Sequence, residues 1–268
     1  MERTMTGQNR TGAAASMKGA RAMLEVANEF TPASQIDTTV SKAERMRYIE
    51  EAESVGSIPP PVTVKGAIKS GLAKLTGDEP SVLMDKIGER LAYERSGVRL
   101  YEALITKYEA TAGVTKDVLP PASDALVAAG IGSLPASIDK ESAGATLQRI
   151  CREELQHFRL LAQALTRLGG DPTAQTPCAD VTATASLGFV QVLTDPRTTL
   201  AQCLNAMLSV ELTDNAGWEL LARLADEESQ NDLAGEFLSA LAQEQEHLMV
   251  IKAWVEHLLT QRVGTPAV

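Results

Sequence analysis

Residues 151–160 read CREELQHFRL, and residues 241–250 read LAQEQEHLMV. Each stretch places a glutamate three residues before a histidine, Glu154 before His157 and Glu244 before His247, within apolar residues that recur at helical spacing. Residues i and i+3 lie on one helix face, so each pair can address one point inside a packed protein. The chain holds only three histidines. With glutamate at about one residue in twelve, chance would place it three residues ahead of two of them roughly once in fifty. The two pairs are therefore read as parts of one site.

Working outward from these stretches gives four long helices. The first begins near residue 83, and its inward stripe is Ile87, Leu91, Glu94, Val98, Tyr101 and Ile105. Pro and Gly in KDVLPPASDALVAAGIGSLPAS then interrupt the period, leaving a short helix at 122–130. The second helix spans 142–168, with Leu147, Ile150, Glu154, His157, Leu161 and Leu165 inward, and stops at Gly169, Gly170 and Pro172. A connection of about 25 to 30 residues follows, with DPTAQTPCAD and LTDPR as breakers, a length suited to a crossover along a bundle. The third helix, 197–225, turns Leu204, Met207, Leu208, Glu211, Asp214 and Trp218 to one side. The turn DEESQND is short, so the fourth helix, 232–261, is its antiparallel neighbour, with Phe237, Leu241, Glu244, His247, Ile251 and Val255 inward.

Composition agrees with helices packed on helices. Apolar residues make up 44% of the 268 and aromatics only 4%, with Ala and Leu abundant and β-branched runs few. A net charge of −10 without a basic stripe argues against nucleic acid as a partner. Cys151, Cys178 and Cys203 form neither a disulfide framework nor a thiolate metal site, which fits a reducing compartment. No apolar run reaches the ~18 residues that span a bilayer, and MERTMTGQNR lacks the apolar core of a secretory signal. A cytoplasmic protein without a membrane partner is the expectation. Residues 1–80 read as a partly ordered arm with amphipathic helices around SMKGARAMLEVANEF and SKAERMRYIEEAESV and a break at SIPPP, 57–61. Residues 81–262 form the helical domain, and 263–268 a tail.

Four inward stripes thus each carry a glutamate, and two add a histidine. Burying one unpaired carboxylate costs several kcal/mol, so four around one core require cations. A metal pair resolves the conflict. Oxygen and nitrogen donors with few thiols suit iron or manganese. His257 rotates off its stripe and is expected in solvent, while Trp218 and Trp254 read as core.

At Glu94, at Glu154 with His157, at Glu211, and at Glu244 with His247, the sequence resembles the ferritin-like diiron-carboxylate superfamily over residues 83–262. The resemblance implies an all-α, ferritin-like four-helix bundle with a long crossover and two iron ions, or manganese or a mixed pair. It also implies that Glu154 and Glu244 bridge the metals, that Glu94 and His157 complete one, and that Glu211 and His247 complete the other. Two residues lean toward rubrerythrin-like members. Tyr101, seven residues after Glu94, would hydrogen-bond a ligand carboxylate or bound peroxide, and Asp214 stands where those proteins carry an extra acidic ligand, although a longer glutamate is usual there. The implied function is activation of dioxygen or peroxide with a small substrate or reductant. Iron storage with ferroxidase activity and a manganese catalase-like reaction are the alternatives, and a homodimer is the candidate assembly.

Overall fold

The computed structural model describes residues 17–31, 37–52, 81–113, 118–131, 138 and 141–263. Among the described residues there are eight helices and no strand, so the protein is all-α. No helix there is long and apolar enough to cross a membrane. The described residues divide into two units, one of 17–52 and a second of 81–263.

The first unit holds α1 (Met17–Phe30) and α2 (Thr39–Glu51), where the sequence places its two amphipathic helices. Asp37 accepts the backbone N–H of Thr39, the first residue of α2, at 2.9 Å. Neither helix makes a core of its own: Met23, Leu24, Phe30, Met46 and Ile49 are all exposed. The break at 57–61, the arm's boundary at residue 80 and the tail after 263 lie outside the described residues.

The second unit is built on four long helices, α3 (Ser81–Ala112), α5 (Ala143–Leu168), α7 (Leu200–Glu227) and α8 (Asn231–Val263), with α4 (Ala122–Ala128) against α8. Their ends follow local chemistry. The Ser142 hydroxyl accepts Ala145 N–H to begin α5, and Gly169 ends it at φ 90°, a left-handed conformation that a Cβ would strain. Thr199 and Gln202 close a capping box at the start of α7, which sets that helix in at 200 rather than the expected 197.

Side-chain contacts fix the directions. Gly170 faces Met84 and Gly144 faces Tyr108, so α5 runs against α3. Arg90 bonds Asp214 and Lys107 bonds the carbonyl of Asp195, so α7 also runs against α3. Arg149 reaches Glu246 and Arg167 reaches Glu236, so α8 runs against α5. It follows that α5 and α7 are parallel, and the chain must travel back between them. It does so through a helix that the sequence reading did not place, α6 (Pro177–Thr194), whose 18 residues cover about 27 Å. Thr176 and Cys178 bond Asp85 at one end of α3 while Lys107 reaches Asp195 at the other, laying α6 along α3.

The apolar interior comes in two clusters. One contains Leu100, Leu104, Leu126, Leu147, Ile150, Leu204, Met207, Ile251 and Trp254. The other contains Leu83, Ile87, Leu91, Leu161, Leu165, Trp218, Leu221 and Phe237. Along every long helix the residues between them are the candidate site: Glu94, Glu154 with His157, Glu211 with Asp214, and Glu244 with His247.

Candidate metal centre

The structure brings all eight sequence-predicted residues into this layer. Glu94 and Tyr101 come from α3, Glu154 and His157 from α5, Glu211 and Asp214 from α7, and Glu244 and His247 from α8. None is more than 2% exposed. Their donor atoms gather into three overlapping groups, each within 4.8 Å: Glu94, His157 and Glu244; Glu154, Glu211, Glu244 and His247; and Glu94, Glu154, Asp214 and Glu244. Glu244 belongs to every group. Glu94 and Glu154 each belong to two, so these three carboxylates occupy the middle.

The imidazoles converge through Nδ1. His157 Nδ1 lies 2.6 Å from Glu244 Oε1 and 3.7 Å from Glu94 Oε2. His247 Nδ1 lies 3.2 Å from Glu244 Oε2 and 3.4 Å from Glu154 Oε1. Each Nε2 points the other way, to Gln243 Oε1 at 2.9 Å for His157 and to Glu153 Oε2 at 2.8 Å for His247. Both outer partners are oxygen acceptors, so Nε2–H donates, and in its neutral form each ring would turn a lone pair inward at Nδ1. Metal ligands are oriented in this way.

Many inner atoms lack partners. Glu94 Oε2, both oxygens of Glu154, Glu211 Oε2, Glu244 Oε1 and His157 Nδ1 are buried without a hydrogen bond, the close approach of His157 to Glu244 lacking the angle for one. Buried polar atoms are ordinarily satisfied, and a cluster of orphans facing one another is a set of donors that could hold a metal ion.

Titration tells the same story. Burial first, then the charges of Glu244 and Glu94, push Glu154 well above the usual carboxylate range. Burial and Glu244 move Glu211 to about 8. Asp214 rises too, from burial and Glu94, with Arg90 opposing. Burial also works against the charge of Glu244, but His247 and His157 outweigh it and bring Glu244 to about 2. For His157 burial disfavours the charge, yet Glu244 and Glu94 raise it to about 11. His247 rises likewise, with Glu244 prevailing over burial. Without metal, protons sit on the imidazoles and on part of the carboxylates, where cations would otherwise balance the charge.

Several surrounding residues were not singled out by the sequence. Arg90, 2% exposed, donates to Asp214 Oδ1 at 2.5 Å and lies 4.0 Å over the Tyr93 ring. Gly217 makes room for it, since a Cβ there would stand 2.6 Å from Nη1. Gly97 does the same for Glu154, whose Oε2 would meet a Cβ at 2.3 Å. Tyr101 donates to Glu211 Oε1, and its hydroxyl is pushed up by burial and by Glu211 and so keeps its proton. Trp218, read as core, is core, and it also donates to Glu94 Oε1 at 2.9 Å. Trp254 is buried as expected and donates to the Pro120 carbonyl. Asn215 bonds the carbonyls of Glu211 and Glu244 at 3.0 Å each, locking α7 to α8 beside the site. Arg149 bonds Glu141, Glu153 and Glu246, bracing the carboxylate behind His247. His257 lies away from these groups and is half-buried rather than in open solvent.

Comparison with known proteins returns no match: no family model, curated protein or solved structure is significantly similar to the chain.

Proposed function

We propose that this chain is a dinuclear metal-carboxylate protein of the ferritin-like kind, a four-helix bundle with α6 as its crossover, whose two cations react with dioxygen or peroxide. Iron is the first candidate and manganese the second, because oxygen and imidazole donors without thiolate suit both. The observation that carries this reading is the layer of buried, unpartnered donor atoms. Charge supports it as well. Glu94, Glu154, Glu211, Asp214 and Glu244 set five carboxylates against the guanidinium of Arg90, leaving the four negative charges that two divalent cations neutralise.

Glu244, with Glu154, would bridge the pair; Glu94 with His157 would complete one metal and Glu211 with His247 the other. Bound iron supplies two-electron exchange with dioxygen or peroxide. The chain's part is to hold the donors still and dry. Tyr101 fixes one oxygen of Glu211, Trp218 fixes one of Glu94, and Arg90 holds Asp214. Glu153 and Gln243 set the two imidazoles, so no ligand searches for its position when charge changes at the metals.

Elemental analysis of protein loaded anaerobically with ferrous iron should find close to two metals per chain. Glu244→Ala should bind neither, because both shares depend on it. Failure of the wild-type chain to take up iron or manganese would sink the proposal.

A further inference from the structure

The four seams between the long helices are not alike. Where α7 meets α8 and where α3 meets α5 the helices are in close contact along their length, whereas α5 and α8 come close at only a few positions. What spans that seam is polar: Arg149 to Glu246 at 2.6 Å, His247 to Glu153 at 2.8 Å, His157 to Gln243 at 2.9 Å and Arg167 to Glu236 at 2.9 Å. Long polar side chains bridge a gap that apolar ridges elsewhere fill. Near its middle the seam opens into a groove of about 380 Å³, walled by Gln156, Arg159, Gln163, Ser239 and Gln243 with His157 at its floor. A second groove, of about 600 Å³, adjoins it and shares Leu160, Gln163 and Glu236. The floor is closed, since His157 is only 2% exposed and Gln243 is bonded to its outer nitrogen.

We infer that the α5–α8 seam is the way in to the proposed metal centre, and that Gln243 over His157 admits a small, neutral, hydrogen-bonding molecule of the hydrogen peroxide class. The inference rests on the function proposed above and specifies its substrate. The two ends of the centre differ in how firmly they are shut. Behind His247 stands Glu153, held by Arg149 together with Glu141 and Glu246, and opening there would break charge-assisted bonds. Behind His157 the acceptor is a single neutral amide, held by no ion pair of its own, so opening there breaks one bond rather than a network of charged ones. Three glutamine amides and the Ser239 hydroxyl supply the groove's uncharged hydrogen-bonding groups, beside Leu160 and Ala240, with Arg159 on one wall and Glu236 already paired with Arg167. A neutral molecule able to exchange hydrogen bonds with amides crosses this lining at little cost, whereas dioxygen gains nothing from it.

The test blocks the groove from its rim. Ser239 is exposed and lines it; Leu238, the next residue, is exposed and does not. In a Trp254→Phe background the remaining tryptophan is Trp218, whose ring lies 5.3 Å from that of His157. Quenching of its fluorescence by acrylamide, a neutral amide, is measured on the metal-free chain. Ser239→Phe should lower the quenching constant and Leu238→Phe should not; Gln163→Phe, across the groove on α5, is the second blocking variant. Equal quenching in blocked and control variants, or none in any, overturns the route. With ferrous iron loaded, Ser239→Phe should slow oxidation by hydrogen peroxide about tenfold and leave oxidation by dioxygen within about twofold. A route that passes the quenching test but shows equal peroxide rates, or an equal loss with dioxygen, overturns the substrate class. A wild-type chain that binds no metal overturns the proposed function, while the quenching result still decides the seam.

Discussion

At the scale of single residues, the decisive ones are those that make room. Gly97→Ala ordinarily stabilises a helix by about 0.5–1 kcal/mol, but here the new methyl would enter the space of Glu154 Oε2. The metal-free variant should hold its stability within about 1 kcal/mol by moving Glu154, while binding two cations at least about tenfold more weakly. Parallel urea titrations and cobalt(II) titrations read the two effects apart. Arg90→Met leaves Asp214 without its partner where both are nearly inaccessible, and should cost about 3–5 kcal/mol. The double variant Arg90→Met with Asp214→Leu should recover most of that in urea denaturation of the metal-free chain; no recovery would mean that Arg90 acts through the Tyr93 contact instead. The six Glu and His candidates were legible because each interrupts an apolar stripe. Arg90 was not, since an arginine four residues before Glu94 reads as an ordinary surface pair. Glu153 was hidden for a related reason: its partner His247 comes from another helix, across a seam whose register no local pattern records.

At the scale of elements, the four long helices were legible from period and punctuation, and their order of glutamates with them. What the sequence left out was α6. Its Thr- and Val-rich run has low helix preference, and Val181, Leu187 and Val190 are exposed, so no single apolar stripe stands out. The one local sign is Thr176 before Pro177, an N-cap followed by a proline at the first helical position, and Thr176 indeed accepts from Ala179 N–H. The start of α7 depends on comparable chemistry. Thr199→Ala removes the hydroxyl that accepts Gln202 N–H, one half of the capping box, and should cost about 1 kcal/mol in urea denaturation, with Thr199→Ser close to wild type. Equal losses in the two variants would mean that the methyl group, not the hydroxyl, matters there.

At the scale of the molecule, pH and metal should act against each other. In the metal-free chain Glu211 titrates near 8 when folded against an ordinary 4.5, so its contribution to stability is complete below about 4.5 and lost as pH rises through 8. His157 behaves alike over a higher range, from its ordinary 6.5 up to about 11. Glu244 does the opposite, contributing above 4.5 and losing that contribution as pH falls toward 2. Metal-free protein should therefore melt highest at about pH 5 and progressively lower toward pH 8. Cations displace the same protons, so the gap in Tm between loaded and chelated protein should widen over that interval; a gap independent of pH would contradict a carboxylate-rich site. The division of the apolar interior into two clusters carries this further. All four long helices cross the polar layer unbroken, so neither half can come apart from the other without bending them. Cations in that layer would act as rivets at the waist of the molecule, making one cooperative folding unit of what would otherwise be two neighbouring ones.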